Sequence, residues 1–179
     1  SHQGTQILAG VILFATTTVT VAWIALWFRR SRYTPAQQFC YFYGYVMARI
    51  LWRADIEGQL AVSSIQGAII ICNHRSPYDP AFIQLVSDRV VHWMVAREYC
   101  CHPALAWFFQ IVQSIPVSRG GIDTAATKMA IRYAQAGGLV GLFPEGRLNM
   151  TDQILLPGRP GVALIALKTH MPVIPCYIS

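Results

Sequence analysis

From Ile7 to Phe28 the chain carries no charged residue, and Arg29, Arg30 and Arg32 follow almost at once. About 20 apolar residues are what an α-helix needs to cross the hydrocarbon core of a bilayer. The remaining residues are therefore expected to fold beside a membrane. In a cleaved signal peptide the basic residues precede the apolar run and small residues follow it; here the order is reversed, which favours an uncleaved anchor. If the segment spans, the arginines belong on the cytoplasmic side and place everything beyond residue 30 there. Thr16, Thr17, Thr18 and Thr20 leave room for a second geometry, a helix that dips into one leaflet.

A second membrane signal follows. Phe39, Phe42, Tyr43, Val46, Met47, Ile50 and Leu51 recur at steps of three and four, so 33–53 is predicted as an amphipathic helix. Arg49 and Arg53 flank its apolar face, and no acidic residue occurs before Asp55. Such a face suits the bilayer interface, or it packs on the domain that follows. Composition agrees with lipid contact, because 54% of residues are hydrophobic and only 12% are charged. The net charge of +6 is spread among apolar residues with no Lys/Arg-rich run, which fits anionic headgroups or an acidic substrate and argues against nucleic acid. Five cysteines in no CxxC spacing read as reduced and structural.

Beyond 55–64, where polar residues and a glycine succeed the apolar helix, the pattern changes. Strands are expected at 68–72, 90–95, 115–117, 139–143 and 173–178, with helices at 80–87, 103–113, 123–136 and 161–169 between them. This alternation predicts an α/β domain with a mostly parallel sheet flanked by helices over 58–179, preceded by a two-helix membrane-binding segment over 1–57. The chain stops at Ser179 directly after a predicted strand, so the domain is expected to be incomplete there. In such folds, sites gather at the carboxyl ends of strands.

Four blocks stand at predicted strand ends. In Asn73-His74-Arg75-Ser76-Pro77-Tyr78-Asp79, the proline breaks helical continuity, so His74 and Asp79 can meet across a turn. One imidazole nitrogen then takes a proton while the other donates to the carboxylate. The alternative is an ordinary loop in which Asp79 caps the next helix. Phe143-Pro144-Glu145-Gly146-Arg147 offers either a phosphate-sized pocket with a charged donor or a surface salt bridge in a tight turn. Arg119, within Ile115-Pro116-Val117-Ser118-Arg119-Gly120-Gly121, adds a second cation for an anionic acceptor. Met171-Pro172-Val173-Ile174-Pro175 reads only as core strand.

In this order and spacing the four blocks resemble the glycerophospholipid acyltransferase family that includes 1-acylglycerol-3-phosphate acyltransferases, with HxxxxD and FPEG as the specific pair. The resemblance implies direct transfer of a fatty acyl group from an acyl thioester, acyl-CoA or acyl-carrier protein, to the free hydroxyl of a lysophospholipid, in phospholipid biosynthesis or remodelling. In that reading His74 is the general base and Asp79 orients it. Asn73, Arg119, Glu145, Gly146 and Arg147 form the substrate-binding set, Asn73 by shaping the turn that presents His74. No cofactor is implied.

One departure bears on the acceptor. Lysophosphatidate-type members usually read FPEGTRS, whereas Arg147 here follows Gly146 directly, as in remodelling enzymes and tafazzin-like transacylases. A hydrolase lacks support, since no GxSxG elbow is present. His92, His102 and His170 are isolated and make no ligand pair, so no metal is expected. From another class, a non-catalytic membrane-associated lipid-binding adaptor would have no need of the His74 and Asp79 pair. The sequon Asn149-Met150-Thr151 lies inside the motif region of a domain expected in the cytoplasm and is read as coincidence.

Overall fold

Hydrogen bonding in the computed structural model joins every strand in parallel into one five-stranded sheet. The structure describes residues 2–30, 32–60, 62, 65–119, 121 and 123–179, with side chains left aside at 2, 3 and 23–30. The strands are β1 Ala68–Cys72, β2 Val91–Ala96, β3 Ile115–Val117, β4 Leu139–Leu142 and β5 Val173–Cys176, in the order β3-β2-β4-β1-β5. Each falls within one or two residues of its expected start, because short β-branched runs bounded by Gly, Pro or Asn leave little choice of pairing.

The helices are α1 His2–Arg30, α2 Pro35–Val46, α3 Asp79–Gln84, α4 Arg97–Cys100, α5 Ala106–Ile111, α6 Thr124–Gln135 and α7 Gly161–Thr169. On one face of the sheet, Ile69, Val140 and Leu142 pack against α6 and α7 through Ala126, Ala130, Ala134 and Ile165. Three alanines at four-residue steps bring α6 close to the strands. On the other face, Ala68, Ile70, Cys72, Trp93 and Leu139 pack against Ile83 of α3.

These two faces locate the crevice. The connection leaving β1 enters α3 on one side of the sheet, and the connection leaving its neighbour β4 enters α7 on the other. A parallel sheet opens between the carboxyl ends of two such strands, and there α/β folds bind ligands. The HxxxxD turn follows β1 and the EGR turn follows β4.

In α1, Gly4–Ala22 is long and apolar enough to cross a membrane, and its described side chains are exposed. Its threonines cost little in lipid, since Thr16, Thr17, Thr18 and Thr20 each donate to the carbonyl four residues back, at 2.7–2.9 Å.

α2 begins with a capping box: Thr34 Oγ1 accepts the Gln37 N–H at 3.3 Å and Gln37 Oε1 accepts the Thr34 N–H at 3.0 Å, with Pro35 in the first turn. The predicted helix over 33–53 continues as a π-turn, Met47–Leu51. Its inward residues are Gln37, Gln38, Gly44 and Ala48, whereas Phe39, Phe42, Tyr43, Ile50 and Leu51 are exposed. Small and polar residues thus make the packing face, and most of the aromatic stripe faces outward. A Cβ on Gly44 would sit 3.6 Å from that of Ala81, which shows how closely α2 crosses α3.

Candidate active site

At the carboxyl end of β1 the chain turns sharply, and Asp79 organises the turn. Its buried Oδ2 accepts the backbone N–H of Arg75 at 2.7 Å and of Ser76 at 2.8 Å, and meets His74 Nδ1 at 2.9 Å. A carboxylate that already accepts two N–H groups requires a donor from the imidazole. Nδ1 therefore carries the proton, and Nε2 is left as the basic nitrogen of a ring that keeps 18% of its side-chain surface exposed. The HxxxxD spacing thus gives an oriented imidazole, and Asp79 holds the loop preceding its helix in place of a side-chain N-cap.

The ring itself is clamped by aromatics. His74 stacks on Phe143 with centroids 3.8 Å apart and planes 9° from parallel, and Phe143 stacks in turn on Trp93 at 4.8 Å. Gly141 makes this possible, because a Cβ there would lie 2.6 Å from two atoms of the Trp93 ring. One glycine in β4 thereby admits an indole whose stack ends on His74.

Two residues expected in the substrate-binding set make hydrogen bonds within the fold. Glu145 is 3% exposed, and both its oxygens are taken: Oε1 accepts the His74 N–H at 2.7 Å and Oε2 the Leu156 N–H at 3.0 Å. It ties the EGR turn to the HxxxxD turn and has no oxygen turned outward for a ligand. The tie is doubled where the Asn149 N–H donates to the His74 carbonyl at 2.7 Å. Asn73 is buried as well; its amide donates to the Ile178 carbonyl at 2.7 Å and accepts the Ile178 N–H at 2.8 Å, fastening the end of β1 to the segment after β5. Neither amide nor carboxylate is free, since a buried polar group left unpaired is costly.

The remaining expected residues lie at the surface. Gly146 takes φ +66, a left-handed conformation that suits glycine, and Arg147 beside it is exposed. Arg119 follows the edge strand β3, three strands from β1 and so about 14 Å away at ~4.8 Å per strand. It lies 4.0 Å from Glu98 and 5.8 Å above the Tyr99 ring. The structure therefore brings His74, Asp79, Asn73 and Glu145 together, sets Gly146 and Arg147 beside them, and keeps Arg119 at the sheet edge.

Sequence reasoning gave Phe143 no role of its own within the FPEG block and passed over Trp93, which completes the ring stack, and Arg159, which covers Gly146. Only the glycine at 141 within an apolar strand signals that something bulky lies over β4. Among the described residues no cluster of three His, Cys, Asp or Glu side chains is placed to hold a metal. The five cysteines are unpaired, and burial pushes the Cys72 thiol up to about 12, which leaves it inert.

An apolar cavity of about 270 Å³ opens between α2 and the sheet. Tyr41, Met47, Trp52, Phe82, Trp93 and Phe108 are among its walls. Through Trp93 and Phe143 it lies two ring layers from His74.

Comparison with known proteins agrees with this architecture. The chain is 27% identical over 143 residues to the 1-acyl-sn-glycerol-3-phosphate acyltransferase of Limnanthes alba, covering 76% of this chain and 50% of that protein. Against the protein of the same name from Bacillus subtilis (strain 168), identity is 24% over 110 residues, covering 61% and 54%. The chain thus spans about half the length of the curated relatives it matches. The crystal structure of the 1-acyl-sn-glycerophosphate (LPA) acyltransferase PlsC from Thermotoga maritima shares the fold, with TM-score 0.57 and 22% identity over 91% of this chain and 69% of that one. The family profile described as Acyltransferase matches residues 53–179, most of the chain, and the protein belongs to that acyltransferase family.

Proposed function

We propose that this protein transfers a fatty acyl group from an acyl thioester to the free hydroxyl of a lysophospholipid such as 1-acylglycerol-3-phosphate, with His74 as general base. The observation that carries the reading is the His74–Asp79 pair at the switch point of the sheet. Nε2 takes the hydroxyl proton as the oxygen attacks the thioester carbonyl. The tetrahedral intermediate collapses, the C–S bond breaks, and the thiolate recovers the proton from the imidazolium. No acyl-enzyme is required. General-base assistance of this kind contributes about 10²–10⁴ in rate.

Several features support this assignment. Asp79 fixes the tautomer, and the stack on Phe143 fixes the ring plane. The cavity beside α2 suits a fatty acyl chain, since it is apolar and adjoins the base through the Trp93 stack. Gly146 and Arg147, exposed on the EGR turn, are the residues proposed to meet the acceptor's glycerol phosphate, with Arg119 a further cation at the sheet edge. In this reading α1 anchors the chain, the outward aromatic face of α2 rests in the bilayer interface, and the domain works on the cytoplasmic side, as Arg29, Arg30 and Arg32 at the end of the apolar run favour. Both lipid substrates then reach the site from the membrane. Acyl-CoA or acyl-carrier protein serves as the donor.

The test is a matrix of donors and acceptors with the purified protein in liposomes. Donors are acyl-CoA, acyl-carrier protein and diacyl phospholipid; acceptors are 1-acylglycerol-3-phosphate, other lysophospholipids and monoacylglycerol. Thioester-dependent formation of a diacyl product is expected. Transfer only from diacyl phospholipid would replace the donor class with that of a transacylase, and no transfer from any donor would favour a lipid-binding adaptor.

A further inference from the structure

Arg159 lies in the segment Pro157-Gly158-Arg159-Pro160, which the chemistry described so far does not use. Its N–H donates to the Pro144 carbonyl at 2.7 Å, so the segment is laid against the EGR turn. Its side chain then crosses directly over Gly146. A Cβ at Gly146 would come within 2.7 Å of Arg159 Nε, 2.9 Å of Cδ and 3.2 Å of Cζ. The positive φ of Gly146 and its missing side chain thus make the space that this guanidinium occupies. Prolines on both sides stiffen the backbone that delivers it.

Arg159 makes no ion pair among the described residues, and the neighbouring carboxylate, Glu145, has both oxygens bound to backbone N–H groups. The chain therefore holds a planar, permanently charged fork over a turn whose Glu145 carboxylate accepts the backbone N–H of His74. A guanidinium so placed matches a phosphate monoester, which it can meet with two parallel N–H···O bonds.

We infer that Arg159 is a substrate-binding residue that receives the phosphate of the acyl acceptor over Gly146 and selects phosphate-bearing lysolipids over neutral ones. The inference rests on the acyl-transfer reading and adds to it a residue from outside the motif blocks. Gly146 acts here by leaving room. Arg159 is exposed to solvent over the turn, as is Arg147 beside it, and Arg119 lies at the sheet edge.

The experiment compares wild type, Arg159→Ala and Arg159→Lys in liposomes with 1-acylglycerol-3-phosphate and with monoacylglycerol, which lacks the phosphate. For Arg159→Ala, KM for the phosphate-bearing acceptor should rise about ten- to hundred-fold with little change in kcat. Its kcat/KM for monoacylglycerol should stay within about two-fold, and Arg159→Lys should recover part of the loss through charge alone. Equal losses on both acceptors, or none on the phosphate-bearing one, would overturn the assignment. A second arm keeps it separable from the acyl-transfer reading: titration calorimetry of 1-acylglycerol-3-phosphate into His74→Ala and into His74→Ala/Arg159→Ala. A Kd weakened by a similar factor supports Arg159 even if no donor yields product, whereas an equal Kd, or no binding to either, overturns it.

Discussion

At the scale of single residues, the placement of His74 depends on hydrogen bonds made by neighbouring buried groups. Asp79 holds two backbone amides and the imidazole through one oxygen. Asp79→Asn should therefore lower kcat by about 10²–10⁴ by releasing the tautomer. It should also lower stability by about 1–3 kcal/mol through the imperfectly paired amides, as a urea melt would report. Glu145→Gln separates positioning from binding. If Glu145 acts by joining the His74 and Leu156 amides, kcat falls while KM for the acceptor stays level; a rise in KM alone would return Glu145 to the substrate-binding set. His92 supplies a pH test. Burial against the Tyr133 ring holds its pKa below the ordinary 6.5, with the Gln113 carbonyl opposing more weakly. The unfolded state then binds more protons between the folded pKa and 6.5, so stability present above pH 6.5 is lost as pH falls through that window. Thermal melts between pH 7.5 and 5 should show this decline, and His92→Phe should reduce it.

At the scale of elements, the strands were legible because β-branched runs between Gly and Pro admit little else, and α4 was missed because four residues give no periodicity to read. The HxxxxD turn was legible too, since its partners lie five apart. Glu145 was not, because the amides that fill its oxygens come from residues 71 positions before it and 11 after it. Nor was Arg159, whose proximity to Gly146 is set only when the 157–160 segment folds back. The periodicity of α2 was readable, but not which side it buries: Gln37 spends its amide on the Ile111 carbonyl, and Gly44 meets α3, so the aromatics are turned outward. β4 offers the sharpest test of an element. Gly141→Ala would set a methyl against the Trp93 ring, costing about 1–3 kcal/mol of overpacking. By shifting the Trp93–Phe143–His74 stack it should lower kcat in the folded fraction as well. A melt and an assay on the same sample would check both.

At the scale of the molecule, one topological fact links the parts. Neighbouring strands β1 and β4 send their chains to opposite faces, so two turns converge at one mouth, and the apolar cavity behind them runs beneath α2. The exposed faces of α1 and α2 would set that mouth at a lipid surface. Replacing Phe39, Phe42 and Ile50 together with glutamate should weaken binding to anionic vesicles and raise KM for liposomal acceptor, while leaving the thermal midpoint nearly unchanged, because these side chains are exposed in the fold. Vesicle co-sedimentation beside a melt would check that.

Whether His74 is the base of an acyl transfer is read most directly from a single-turnover measurement with acyl-CoA and 1-acylglycerol-3-phosphate, comparing wild type with His74→Ala across pH. With His74 as the base, the wild-type rate should rise with pH along one limb, and the His74→Ala rate should be lower by about 10²–10⁴ with that limb gone. A His74→Ala variant that retains the wild-type rate and pH profile would contradict it.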